Sequence, residues 1–345
     1  MKTVTGGRNM NVTIRDIAKM ANVSIATVSR YMNNPNIVSE NTRMKIATAI
    51  EETNYKPNEV ARGLSSGTSR LMGILLPAVN NIFFSTVILG IEEELSRNDY
   101  TAFVCNTHER LEKEIEYIDI LMKQQVAGLI FMGTRYLEVE KNKHIIALNN
   151  KIPVMLVNDR FIDEDISYIM TDETEGIYKA VKYLYELGHR KIYFFNGNKG
   201  QNTYQYKQRG FMNAVEEVGI QDLVKIVRDT PFEMGGYNAM QECIKGHDIP
   251  TAVVVASDQM AIGVIRAAHE NGIAIPKDIS IIGFDNTPIS GELYPKLTTV
   301  NQKPHDLGVK VAKLMIEQIE SKNILRSTVV ENPEILERNS VEKKI

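Results

Sequence analysis

The chain has no tryptophan, only two cysteines in 345 residues, and no uninterrupted run of eighteen apolar residues. Cys105 and Cys243 lie far apart, which excludes a disulfide framework and makes a reducing cytoplasm the simpler setting. Neither stands at ligand spacing from any of the six histidines, so no metal site is expected. Lys2 and Arg8 are not followed by an apolar core segment, so no signal peptide and no membrane span are expected. HExxH, a Walker loop and a GxSxG elbow are all missing, and the 196–200 stretch NGNKG lacks the Walker spacing and hydroxyl. No catalytic residue and no cofactor is therefore assigned, and an enzyme is not expected. A net charge of only -3 hides a split. Residues 1–70 hold ten Lys/Arg against five Asp/Glu, and the remainder is acidic by eight. A basic head on an acidic body suggests nucleic acid at one end. The length suggests two or three domains.

The stretch TIRDIAKMANVSIATVSRYMN, residues 13–33, reads as two short helices joined by a tight turn. Thr13 caps the first, with Asp16 favouring its N-terminal end, and Ile17, Ala18 and Ala21 form a narrow apolar stripe. Asn22 tolerates the left-handed backbone of a tight stop, and Ser24 caps a second helix whose Val28 and Met32 face back. That leaves Ile25, Ala26, Thr27, Ser29 and Arg30 outward, a set suited to base edges and phosphates in a major groove. Periodicity alone fits a solvated helical hairpin equally well. Ser39 caps a third helix to about Thr53, with Ile46, Ala47 and Ile50 closing a three-helix core.

The residues YKPNEVARGL, 55–64, add a specific signal. Together with VTIRDIAKMANVSIATVSRYMNN, this stretch resembles the DNA-binding head and hinge of the lactose/galactose-repressor (LacI/GalR) family. The resemblance implies a hinge helix that orders on DNA, with Leu64 wedged into the minor groove at the operator centre. The expected DNA contacts are Thr13, Ser24, Ile25, Ala26, Thr27, Ser29, Arg30, Asn33, Tyr55, Asn58, Ala61 and Leu64.

From Leu71 the chain alternates short β-branched runs, such as LMGILLP, AGLIFM, PVMLV, TAVVVA and ISIIGF, with amphipathic helical patterns. This is the alternation of doubly wound α/β units with a buried parallel sheet. The resemblance implies a periplasmic-binding-protein-like core of two such subdomains, with crossovers near 170, 300 and 330. The expected layout is a disordered lead over 1–11, a helix-turn-helix domain over 12–57, and a hinge and linker over 58–70. An effector and dimerisation core follows over 71–345, its N-subdomain about 71–169 and 301–330, its C-subdomain about 170–300 and 331–345.

Ligands of such folds sit beyond the strand C-termini, between subdomains. The residues expected there are Asn81, Phe83, Phe84, Asn158, Asp159, Arg160, Thr203, Lys207, Ser257, Asp258 and Asp285. Asp and Asn can hold ring hydroxyls while an aromatic face covers the sugar's CH side. Lys207 stands where the family usually carries a ligand-anchoring arginine, and lysine cannot make that planar fork. The expectation is a cytoplasmic homodimeric repressor of a carbohydrate operon. It binds double-stranded DNA at a near-palindromic operator and answers a small effector, a sugar or sugar phosphate. A purine-type corepressor and a phosphocarrier protein corepressor are the alternatives, and a soluble sugar receptor without DNA function is the reading from another class. A C-terminus without leucine heptads favours dimers over tetramers.

Overall fold

The computed structural model describes residues 12–53, 55, 69–133, 139–161, 165–197, 200–321 and 326–344. The chain divides into two units, Met1–Ser69 and Arg70–Ile345. Three of the expected DNA contacts, Asn58, Ala61 and Leu64, lie outside the described residues, as does the 1–11 lead.

The first unit is built from α1 (Ile14–Met20), α2 (Ile25–Asn33) and α3 (Glu40–Thr53). The Asp16 carboxylate accepts from the Thr13 amide at 2.9 Å and the Thr13 hydroxyl at 2.6 Å, which holds the start of α1. Asn22 adopts φ 54° in the turn, and the Ser24 hydroxyl accepts from the Thr27 amide at 3.0 Å to cap α2. Ile17, Val28 and Ile46 are fully buried where the helices meet, with Ala18, Ala21 and Ala49 beside them. The small alanines let the helices approach closely. On α3 the buried alanine is Ala49, whereas Ala47 is half-buried; the helix is rotated slightly from the periodicity reading.

The second unit holds two six-stranded sheets. Its strands are β1 (Leu71–Leu76), β2 (Thr101–Asn106), β3 (Gly128–Met132), β4 (Val154–Val157), β5 (Ser167–Thr171) and β6 (Ile192–Asn196). They continue as β7 (Lys225–Arg228), β8 (Ala252–Val255), β9 (Ser280–Asp285), β10 (Thr298–Asn301), β11 (Thr328–Glu331) and β12 (Glu334–Leu336). The strand orders are β11-β5-β4-β3-β1-β2 and β12-β10-β9-β8-β6-β7, parallel throughout except for the antiparallel β10–β12 pair. The chain passes from one sheet to the other after Thr171, after Asn301 and after Glu331. Strands β1, β3, β4, β8 and β9 are almost wholly buried, as their continuous apolar runs require when helices cover both faces. Helices Ile82–Arg97 and Pro304–Glu320 cross the first sheet's face so closely that a Cβ on Gly90 would meet the His305 carbonyl oxygen at 2.1 Å. Only glycine fits that crossing.

In each sheet the first strand has its two successors on opposite sides: β1 lies between β2 and β3, and β6 between β7 and β8. Connections leaving such a strand diverge to opposite faces and open a crevice at its C-terminal end. The two crevices hold the segments after residues 76 and 196, which place the site described next.

Candidate functional site

On α2 the side chains of Ser24, Ile25, Ala26 and Arg30 are exposed, as is Thr13 before α1, while Thr27 and Ser29 are half-buried. Ile25 keeps 45% of its surface in water, which leaves an apolar side chain on the outward face of α2. The Ser24 and Thr27 hydroxyls bond to each other at 2.8 Å, so both are tied to the cap. Asn33 ends α2, and Tyr55 packs against the three-helix core, which leaves it less outward than the sequence pattern suggested.

The second unit contains a cavity of about 300 Å³ between its two sheets. Eight of the eleven residues expected to bind an effector line it: Asn81, Phe83, Phe84, Asn158, Thr203, Lys207, Ser257 and Asp285. The other three, Asp159, Arg160 and Asp258, do not. Asp159 is buried and accepts from the Asn202 side chain at 3.2 Å. Arg160 is exposed, with Tyr168 and Tyr206 near its guanidinium. Asp258 is fully buried and accepts from the Thr287 amide at 2.7 Å and the Thr299 hydroxyl at 2.5 Å, tying the start of the helix Asp258–Glu270 to the loop after β9 and to β10. Following a strand put these three near the crevice, but the hydrogen bonds of the two aspartates turn them into its scaffold.

The cavity wall also contains Glu173, Tyr204, Phe232 and Gln302, which the strand-end rule missed. Glu173 begins the helix Glu173–Glu186 directly after β5, and Gln302 follows β10. Neither strand stands out as an apolar run in the sequence, because Ser167, Thr171, Thr298 and Thr299 interrupt them. The signal was present in the neighbouring crossover positions. Phe83 and Phe84 meet edge to face at 5.7 Å between ring centroids and form an aromatic wall.

Opposite them lies a charged cluster. The Lys207 ammonium donates to the Ala256 carbonyl at 2.8 Å, sits 3.6 Å from the Glu173 carboxylate and lies 3.9 Å over the Phe284 ring. Thr203 donates to Glu173 at 2.5 Å, and Gln302 donates to Asp285 at 2.6 Å. Burial pushes the Glu173 carboxyl up to about 7, against the opposing pull of Lys207 and Thr203. Burial likewise raises Asp285 to about 8, countered by Lys207 and reinforced by the buried Asp258. Tyr204, buried beside both acids, is held neutral well above the ordinary tyrosine range. Asp285 adopts φ 117°, a conformation L-residues rarely take, which aims its carboxyl from the end of β9. Asn158, at φ 63°, donates to Gln302 at 3.4 Å while its Oδ1 is buried without a partner.

Two side chains, Gln259 and Asn202, make bonds across the mouth between the sheets' subdomains. Gln259 accepts from the Ile82 amide at 3.2 Å and donates to the Asn80 carbonyl at 3.3 Å, and Asn202 reaches Asp159. Among the described residues no cluster of metal-ligating side chains occurs and no helix is long and apolar enough to cross a membrane.

Comparison with known proteins bears on both units. Residues 13–58 match the domain described as bacterial regulatory proteins, lacI family, and residues 181–341 match a periplasmic binding protein-like domain. The HTH-type transcriptional repressor PurR of Pasteurella multocida (strain Pm70) is 33% identical over 96% of this chain and 99% of its own. The chain belongs to the lacI family. A ribose operon repressor of Halalkalibacterium halodurans is 36% identical over 90% of this chain and 91% of its own. The lac repressor dimer bound to operator and the anti-inducer ONPF superposes with a TM-score of 0.86 at 26% identity, covering 96% and 99% of the two chains. As a lacI-family member the protein is a DNA-binding transcriptional repressor with a ligand-binding core.

Proposed function

We propose that this lacI-family protein is a cytoplasmic homodimer that represses a carbohydrate-utilisation operon and is gated by a sugar-class effector in the cavity of the second unit. The observation that carries the reading is the cavity itself. It joins an aromatic wall, Phe83 and Phe84, to a hydrogen-bonding wall, Asp285, Asn158 and Glu173, in a chain whose head is a helix-turn-helix. Aromatic faces cover the apolar side of a sugar ring while carboxylates and amides hold its hydroxyls. The ribose operon repressor among the relatives supports the same ligand class.

In this mechanism each protomer lays α2 into a major groove, with Ile25, Ala26 and Arg30 toward base edges and Thr13, Ser29 and Asn33 toward the backbone. Asn58, Ala61 and Leu64 engage the minor groove between the half-sites. The ligand binds the open and closed cleft with different affinity, and that difference is the whole of the allosteric coupling. The Gln259 and Asn202 bonds across the mouth belong to the closed form. A gel-shift titration of the full-length protein on the DNA upstream of its own operon, with and without a sugar panel, tests this. Sequence-specific binding altered by a sugar is expected; specific binding that no carbohydrate alters would overturn the carbohydrate assignment.

A further inference from the structure

Resting on that carbohydrate reading, we propose that the effector is a phosphate-free polyol rich in hydrogen-bond donors. We further propose that the cavity prefers an amino group where the ligand meets Glu173 and Asp285. The argument is an account of donors and acceptors on the described wall. Its donors are largely turned onto its own acceptors. Thr203 donates to Glu173, Gln302 to Asp285, Ser257 to the Pro231 carbonyl at 3.0 Å, and Thr107 to the Leu76 carbonyl at 3.2 Å. Lys207, 4% exposed, is the deep cation of this wall, and its ammonium already serves the Ala256 carbonyl, Glu173 and the Phe284 ring.

What the wall offers a ligand is therefore mostly acceptor capacity, with carboxyls that an approaching ammonium would ionise. Three deep carboxyls, Glu173, Asp285 and the His144-bonded Glu114, share the wall with one deep ammonium. Asn158 is 9% exposed, lines the cavity, and carries an Oδ1 with no donor, its amide nitrogen being fixed by Gln302. Glu109 and Arg110 share the exposed rim and offset one another in charge. A phosphate brings only acceptors into a wall whose deep cation is already engaged, so the site offers phosphorylated sugars less than it offers polyols. Burial is the first cause of the raised carboxyls, with Lys207 opposing it, and a ligand ammonium beside them would favour their ionised forms.

The test is isothermal titration of the full-length protein with matched sets. These are ribose and ribose 5-phosphate, then glucose, glucosamine and glucose 6-phosphate, then galactose, galactosamine and galactose 6-phosphate. In every set that binds, the phosphate ester is expected to be weaker than its parent by roughly tenfold or more, and the amine at least as tight as the parent. Glu173→Gln, which keeps shape and removes charge, should weaken the amine more than the parent sugar and so erase the preference between them. A phosphate ester that binds as tightly as its parent, an amine rejected by the wild type, or a panel without any binder would overturn the proposal. Operator binding by the same preparation, measured in parallel, separates that failure from failure of the repressor reading.

Discussion

Burial raises the Glu173 carboxyl to about 7 and that of Asp285 to about 8, far above their ordinary values, so the folded core holds protons that the unfolded chain gives up. The stability linked to that uptake is fully present below the ordinary carboxylate range and is lost as pH rises through about 7 and then about 8. The melting temperature of the ligand-free protein should therefore fall between pH 6 and pH 9, and less steeply in Glu173→Gln and Asp285→Asn. Equal slopes in wild type and variants would refute the assignment of that fall to these two groups. Asp285→Ala should abolish the effector response and leave ligand-free DNA affinity intact, with about 1–3 kcal/mol of ligand binding lost per unpaired group. A normal response would make Asp285 a turn residue only. At the other end of the chain, Arg30→Ala should cost about 1–3 kcal/mol on the operator and relax base preference at one or two positions per half-site. An equal loss on random DNA would instead mark Arg30 as a phosphate contact.

At the scale of elements, the head was legible because its signals are local. Asp16, Asn22 and Ser24 act on the backbone within a few residues, whereas the Thr13 hydroxyl, expected to cap α1, donates to the Asp16 carboxylate instead. Ser24→Ala should destabilise the head by about 1 kcal/mol, seen as a lower midpoint in denaturant, by removing the acceptor for the Thr27 amide. Strands β7, β11 and β12 were less legible. They are short and carry polar or charged residues, as in Lys225–Arg228 and Thr328–Glu331, because they lie at the sheet edges, where one side meets water. The segment 58–65 is too short to be a stable helix alone, since nucleation outweighs so few bonds. Leu64→Ala is predicted to lower specific affinity and reduce operator bending, read by fluorescence transfer between end labels, while salt-driven non-specific binding is unchanged. A Leu64→Ala protein that bends DNA normally would rule out the wedge.

For the whole molecule, the head and the core meet different partners, which matches the basic surplus before residue 70 and the acidic surplus after it. A chain lacking residues 1–69 should lose operator binding yet keep its ligand response. Ligand at 100 times its dissociation constant should still stabilise that core by roughly 2.7 kcal/mol in a thermal shift. Loss of both activities would show that the core depends on the head for its fold.

The sequence by itself determined the class of this protein. Capping, helical period and buried β-branched runs are local properties, and local properties specify the helix-turn-helix, the two-sheet alternation and the strand ends that bracket a cleft. Which of the strand-end residues face the ligand was decided only by the tertiary structure. Asp258 and Asp285 look alike in sequence, each an aspartate within three residues of the end of an apolar strand. One is consumed by Thr287 and Thr299 from β10 and its preceding loop, and the other is turned into the cavity by φ 117°. Glu173 became a cavity residue only when β5 placed it beside Lys207, thirty-four positions further along the chain. Hydrogen bonds between distant segments compete for the same carboxylates, and the outcome of that competition depends on which segments the fold brings within 3 Å.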